Sequence, residues 1–406
     1  MTESNAASIY KWTFSSADDA DLGYVVSDQQ LHPRSNQATP IVRMNNGKYA
    51  ILVPNGMGSA SGRAYMFVLF VNGSSSGTWT EGTHYIKIAT DALSANGMMG
   101  VNWADTNNDG TADILYGTDF QGRLWKFDVS SDMPSNWKSA FPEAGGTPLP
   151  LFEAHGGTTR LAISTSPVVS FPDFGGIMVG FGTGRSLQSG DFPDFSNTQR
   201  FFSIYDRWNS TTTTAVRPLP NSSLATMLRR TTARATVVDA EGKSSEVVYI
   251  SESENKPFNP VDHDGWYVNF TPLSSGSTIN NESVLSSPRP IGGQIFFKTV
   301  RPRTVSGVMQ VCTNSPESTD YLLDPISGLP EAGLFDVVDV VVDGVTKTVR
   351  IVGSPSEDQK STVVFQVDGK LGTITILGKD GQKRTLSFRI PTRRQWREIP
   401  GMRTDQ

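Results

Sequence analysis

The run Asp105-Thr106-Asn107-Asn108-Asp109-Gly110-Thr111-Ala112-Asp113 places oxygen-bearing side chains at its first, third, fifth and ninth positions. In a looped calcium site those side chains converge on one point, and the seventh residue, here Thr111, offers its backbone carbonyl. Gly110, the sixth residue, permits the sharp turn that such a loop requires. The chemistry predicted is capture of a hard divalent cation by Asp105, Asn107, Asp109, the Thr111 carbonyl and Asp113. Three carboxylates around Ca2+ leave a local charge of about minus one, with water completing the shell. Mg2+ suits the loop less well because it demands a rigid octahedral shell. The twelfth position is Tyr116 instead of a bidentate Glu, and the following ILYGTD reads as a strand. The loop is therefore expected to join two strands, not two helices. The competing reading of the same residues is a cluster of Asx-turns that holds no ion.

Other patterns point to catalysis less well. Gly73-Ser74-Ser75-Ser76-Gly77 fits G-x-S-x-G but lies in a Ser-rich turn between strand candidates, not at a strand-to-helix elbow. Gly180-Phe181-Gly182-Thr183-Gly184 lacks the final glycine and the following helix of a dinucleotide fingerprint, and a tight turn explains it. His32, His84, His155 and His263 sit in unrelated loops without metal-ligand spacing, so neither a zinc site nor a triad is expected. The protein is expected not to be an enzyme.

The elements that position the acidic run are read from composition and pattern. A chain of 406 residues accommodates two ordinary domains or one large all-β domain, and 37% hydrophobic residues suffice for a core. Only 18% of residues are charged and the formal net charge is −5, which argues against a nucleic-acid binder. The cluster Arg389, Arg393, Arg394 and Arg397 reads as a solvated tail. A single cysteine, Cys312, excludes an internal disulfide framework and a multi-thiolate metal site. No apolar run approaches the roughly 20 residues of a membrane span. Met1 is followed by the polar TESNAAS, not by a secretory signal, so the chain either stays inside the cell or belongs to a longer precursor.

Short β runs separated by Gly, Asn, Asp and Ser turns dominate, which predicts an all-β fold. They cover Tyr49–Val53, Ala64–Val71, Ile114–Tyr116, Leu124–Val129, Ile177–Phe181, Phe201–Tyr205, Val247–Ser251 and Gly265–Phe270. Further runs are Ile295–Val300, Asp336–Val342, Thr362–Val367, Leu371–Leu377 and Arg384–Ile390. Short helices are expected near Ser222–Arg230 and Ser135–Ala140. A unit of apolar strand, Gly-rich turn and apolar strand ending in an aromatic and a charged residue recurs. Its copies are ILVPNGMGSASGRAYMFVLF, ILYGTDFQGRLWKFDV and IMVGFGTGRSLQ…RFFSIYDRW, with a weaker fourth in GGQIFFKTVRP. Each copy is expected to form the inner pair of strands of one propeller blade, with an aromatic such as Trp125 or Tyr205 wedged between blades.

These residues carry a family resemblance. WTFS at Trp12–Ser15, Leu22-Gly23, PNGMGS, NGMMGVNWADTNNDGTADILYGTDFQGRLWKFDVS, PLF ending at Phe152, SPVV, GFGTGRSL, FFSIYDRW and GWYVNF…SVLSSPRPIGGQIFFKTVRP resemble the C-terminal β-propeller of PilY/PilC-type proteins. The resemblance covers about residues 8–330, with QWREI matching further on. It implies a tip-associated adhesin and biogenesis factor of bacterial type IV pili, extracellular and non-enzymatic. Its calcium loop would regulate pilus extension against retraction, and with it twitching motility and surface attachment. Implied partners are minor pilins at the pilus tip and a host-cell or abiotic surface. The family's ligands fall on Asp105, Asn107, Asp109, the Thr111 carbonyl and Asp113. The family's earlier propeller segment, signal peptide and N-terminal adhesive region have no counterpart here, and Thr313-Asn314-Ser315 replaces its Gly-Gly after Cys. The expectation is a modified, incomplete propeller over 1–400, belonging to a longer pilus protein, with a β-rich part at 331–400. The rival class is a quinone-dependent propeller dehydrogenase, in which calcium sits against a cofactor that absorbs visible light. A propeller with purely structural calcium is the third reading.

Overall fold

A computed structural model describes residues 11–389 apart from 29, 34–37, 142–145, 157–158, 193, 195, 208–223, 239–243, 251–255, 271–281, 292, 306–307, 311–315, 330–336, 343, 357–361, 369–370 and 378–382. Cys312, Thr313-Asn314-Ser315, Arg393, Arg394, Arg397 and the QWREI match lie outside these described residues.

The recurring unit folds as expected into hairpins. β1 (Val42–Arg43), β2 (Tyr49–Pro54), β3 (Tyr65–Phe70) and β4 (Tyr85–Ala89) form one four-stranded antiparallel sheet in that order. β5 (Met98–Ala104), β6 (Ile114–Asp119), β7 (Arg123–Asp128) and β8 (Lys138–Ser139) form a second, with β9 (Phe152–Glu153) also beside β7. β10 (His155–Gly156) and β11 (Thr159–Arg160) pair as a small hairpin. A twelve-stranded sheet follows. Its strands are β12 (Val168–Ser170), β13 (Ile177–Gly182), β14 (Arg200–Asp206), β15 (Leu228–Val238), β16 (Ser244–Ile250), β17 (Gly265–Asn269), β18 (Ser283–Val284), β19 (Arg289–Ile291) and β20 (Gln294–Arg301). β21 (Arg303–Val305) and β22 (Val308–Gln310) pair apart, and β23 (Glu317–Leu323), β24 (Val337–Val342) and β25 (Val345–Ser356) complete the large sheet. β26 (Thr362–Asp368), β27 (Leu371–Leu377) and β28 (Lys383–Arg389) make a three-stranded meander.

The large sheet begins as a blade, β12-β13-β14-β17, and then continues through β15, β16, β25, β23, β20 and β18 into a curled half-barrel. The three clear sequence copies supply β2 with β3, β6 with β7, and β13 with β14, the central pair of each blade-like sheet. The fourth copy supplies β20.

Alternation along the strands decides what each face covers. On β6, Leu115 joins Met44, Leu52, Met66 and Val68 in the core between the first two sheets, together with Trp125 and Phe127 of β7. Its neighbours Ile114 and Tyr116 turn the other way, to Val179, Phe181, Phe202 and Ile204 of the third sheet. Tyr205 enters the next core with Trp266, Phe297 and Tyr321. The second sheet is thus covered on both sides, as a radial blade requires.

Among the longer strands, β4, β5, β15, β23 and β25 escape the sequence pattern. β5 carries Gly100 at its middle because a Cβ there would stand 2.3 Å from the Ser166 Cα. The helices expected near Ser222–Arg230 and Ser135–Ala140 are corrected to single 3-10 turns at Leu224–Thr226 and Pro134–Asn136. After the first turn the chain extends, since the β-branched TTARATVV segment favours strand and Leu228–Thr231 pair in parallel with Trp266–Asn269. After the second it enters β8, where Lys138 and Ser139 pair with β7.

A buried ion pair locks the second sheet to the third. Lys126 Nζ lies 2.6 Å from Asp206 Oδ2, and the Tyr116 hydroxyl donates to the same oxygen at 2.6 Å. Burial, and next the Asp206 charge, push the Tyr116 hydroxyl well above its ordinary pKa. Lys126→Met should lower the free energy of unfolding by about 3–5 kcal/mol, because it strands the Asp206 carboxylate without its counter-charge. Lys126→Met with Asp206→Leu should recover much of that loss in urea unfolding.

Candidate metal centre

The acidic run forms the connection between β5 and β6, so the strand-to-strand placement expected from the sequence holds. Asn108 and Gly110 adopt positive φ, 64° and 83°, and these two left-handed residues wrap the backbone around the loop's centre. Five backbone N–H groups point inward at the candidate side chains. Asn108 and Gly110 donate to the two Asp105 oxygens at 2.6 and 2.9 Å. Asp109 donates to Asn107 Oδ1 at 2.9 Å, Thr111 to Asp109 Oδ1 at 2.8 Å, and Thr106 to Asp113 Oδ2 at 2.8 Å. The Thr106 hydroxyl adds a short bond to that same Asp113 oxygen.

These bonds create the Asx-turns of the ion-free reading. A carboxylate oxygen has two lone-pair sites, and Asp109 Oδ1 and Asp113 Oδ2 each accept two bonds, from Thr111 and Thr106, which a cation would have to share or displace. Asn107 Nδ2 stands 3.1 Å from Asp109 Oδ2, which places the third and fifth positions side by side. Among the described residues no three His, Cys, Asp or Glu side chains stand together as a metal cage. The three carboxylates therefore do not form one alone, and a cation here would also need the Asn107 amide oxygen and the Thr111 carbonyl of the expected set. The donor set fits a hard cation in chemistry, with the Asp109 carboxylate exposed and Asp105 and Asp113 buried at the loop's root.

Bonds from the Thr111 hydroxyl and then its N–H hold the Asp109 carboxyl below its usual pKa, with Arg43 adding its charge through space. A depressed carboxyl contributes stability above its unfolded pKa of about 3.9, and that contribution is lost as pH falls through the folded value.

Sequence reasoning missed Asn45, in the turn between β1 and β2. Its amide nitrogen lies 2.8 Å from the Ala112 carbonyl, 3.1 Å from Asp113 Oδ1 and 3.2 Å from the Val129 carbonyl. Its amide oxygen is 3.2 Å from the Thr111 hydroxyl, which also reaches Asp109 and donates to one of the two at a time. Met44 bridges Ala112 in parallel, and the Ala112 N–H donates to the Arg43 carbonyl at 2.9 Å. The loop is thus tied to the neighbouring sheet as well as to its own. The sequence signal for Asn45 is only a turn motif, Asn45-Asn46-Gly47, far from the acidic run.

The other sequence candidates are not brought together. Ser75 is exposed in the turn between β3 and β4, where Ser74 donates to the Thr78 carbonyl at 2.6 Å. Gly180 and Gly182 lie within β13, with no helix after Gly184. His84 and His263 accept backbone N–H bonds from Thr80 and Asn259, His32 packs edge-on against Trp103, and His155 faces Glu153 at 3.6 Å.

Stacked, blade-like antiparallel sheets with an acidic connection between two strands define the class: an all-β, propeller-type protein. The family model for the PilY1 beta-propeller domain matches residues 19–240, and the chain belongs to that family. It is 26% identical over 340 residues to the type IV pilus biogenesis factor PilY1 homolog of Xylella fastidiosa, covering 80% of this chain and 20% of that protein. It is 25% identical over 357 residues to the type IV pilus biogenesis factor PilY1 of Pseudomonas aeruginosa, covering 82% of this chain and 28% of that protein. The chain therefore spans between a fifth and a third of these relatives' length. The crystal structure of the Pseudomonas aeruginosa PilY1 C-terminal domain superposes with a TM-score of 0.70 at 22% identity, over 93% of this chain and 74% of that one. The last comparison shows the shared fold.

Asn45→Ala should cost about 1–3 kcal/mol of stability and speed hydrogen exchange at the Ala112 amide, because it strips partners from the Ala112 and Val129 carbonyls. Thr111→Val should move the Asp109 titration up toward about 3.9, followed by carboxyl carbon NMR.

Proposed function

We propose that this chain is the calcium-binding propeller portion of a type IV pilus biogenesis factor and tip adhesin. It works outside the cell, at the pilus tip, with minor pilins and with the host or abiotic surface to which the pilus attaches. Family membership supports the pilus setting, as does the name its relatives carry, type IV pilus biogenesis factor. No helix among the described residues is long and apolar enough to cross a membrane.

The observation that carries the regulatory part is the double anchorage of the loop. Calcium, when bound, supplies positive charge that offsets most of that on Asp105, Asp109 and Asp113. Asp113 and Thr111 hold Asn45, and Asn45 in turn holds the β1–β2 turn. A change in the loop's order is therefore passed to the docking of the first sheet against the second, through side chains already in contact. A ligand shifts such an equilibrium only by its differential affinity for the two arrangements. Coupling to the first sheet makes that difference non-zero, and it connects ion occupancy to pilus extension against retraction.

Calcium titration calorimetry tests the site. The unaltered protein should bind, Asp109→Asn should weaken binding while keeping the loop's shape, and Asp113→Ala should weaken it by at least about tenfold, roughly 1.4 kcal/mol. Unchanged affinity in both variants removes this loop as the site. Twitching motility and attachment of a strain carrying Asp109→Asn test the regulatory half separately: normal motility without calcium binding reduces the ion to a staple.

A further inference from the structure

A cavity of about 430 Å³ lies where four separate stretches of chain meet: the N-terminal segment at 28, 30, 31 and 38, β5 at 101–102, the approach to β12 at 166–167, and residues 287–289 at the start of β19. Its walls are built, not incidental. Ser27 and Ser166 hydroxyls lie 3.2 Å apart, the Ser166 N–H donates to the Ser287 hydroxyl at 2.9 Å, and the Ser287 N–H reaches Asp28 Oδ2 at 3.3 Å. Gln30 Nε2 donates to the Leu52 carbonyl at 2.8 Å and Asn102 Nδ2 to the Pro167 carbonyl at 3.0 Å, which fixes two buried amides in the lining. The N-terminal segment thereby ties the first sheet to the second and third around one space.

Charge selects what the space accepts. Asp28 and Arg289 both line it and both are exposed. Among the described residues neither forms a salt bridge, and the Asp28 carboxylate receives one long backbone bond. A carboxylate and a guanidinium on one cavity, each without a salt bridge among the described residues, match a ligand bearing an ammonium and a carboxylate, since charge-assisted bonds are the stronger ones. Pockets of roughly 300–1,000 Å³ are the usual size for small-molecule sites. A free amino acid or a peptide of a few residues presents both charges within such a volume.

We propose that this cavity binds a small zwitterion of the amino-acid or short-peptide class, with its ammonium at Asp28, its carboxylate at Arg289 and its amide groups toward Gln30 and Asn102. The site is separate from the calcium loop and does not depend on it.

The test is saturation-transfer NMR and calorimetry with dialanine and its N-acetylated and C-amidated forms, on the unaltered protein, Asp28→Asn and Arg289→Gln. Dialanine should bind with a Kd below about 1 mM, and each capping should weaken binding by about tenfold. Asp28→Asn should abolish the discrimination against the acetylated form, and Arg289→Gln the discrimination against the amide, with thermal unfolding unchanged in both. No binding at about 10 mM dialanine, equal binding of the capped forms, or binding unaltered in both variants overturns the proposal.

Discussion

A sheet buried on both faces has no side on which to place its polar groups, and the second sheet of this protein is in that position. Every residue of β5 and β6 is buried. Apolar side chains fill most of that surface, but backbone ends, turns and the few charged residues still require partners inside. Asp119 shows how they are found. Burial pushes its carboxyl up, while the Trp125 indole at 2.8 Å, the Asn96 amide at 2.9 Å and the Arg123 N–H at 2.9 Å oppose that shift. Trp125 is therefore both the wedge between two sheets and the donor that satisfies a buried acid. Lys126, one residue on and facing the opposite way, meets Asp206 on the other side.

The same constraint explains where concentrated negative charge can sit. Asp105, Asp109 and Asp113 share one loop that leaves the buried sheet at the β5–β6 turn, where N–H groups of the loop itself bond to each of them. The loop's root remains tied to the core through Asp105 and Asp113, and its tip stays open at Asp109. Asn45 converts this arrangement from a local turn into a joint between two sheets. A cation drawn to the loop would act on an element whose other end already grips the neighbouring sheet.

Much of this was legible in the sequence, in specific places. The hairpins β2–β3, β6–β7 and β13–β14 follow from alternating apolar residues around Gly-rich turns, a local signal. The loop's oxygen spacing is local too, as is its placement between strands, since Tyr116 replaces the Glu of a helical hand. What escaped depends on distant contacts. β5 reads poorly because Gly100 and its neighbours answer to Ser166 of the next sheet. The helix expected near Ser222–Arg230 ends early, because pairing of Leu228–Thr231 with Trp266–Asn269 draws that part into a strand. Asn45 carries only a turn motif; its role exists only once the first sheet docks on the second. The cavity near Asp28 and Arg289 joins residues some 260 positions apart, a separation no periodicity reports.

The most direct measurement is a crystal structure grown in calcium with anomalous diffraction recorded at long wavelength. The account predicts one anomalous peak at about 2.3–2.6 Å from oxygens of Asp105, Asn107, Asp109, Asp113 and the Thr111 carbonyl, with Asn45 still bridging to Ala112. A peak elsewhere, or a loop in that crystal with its carboxylates turned outward and no ion between them, would contradict it.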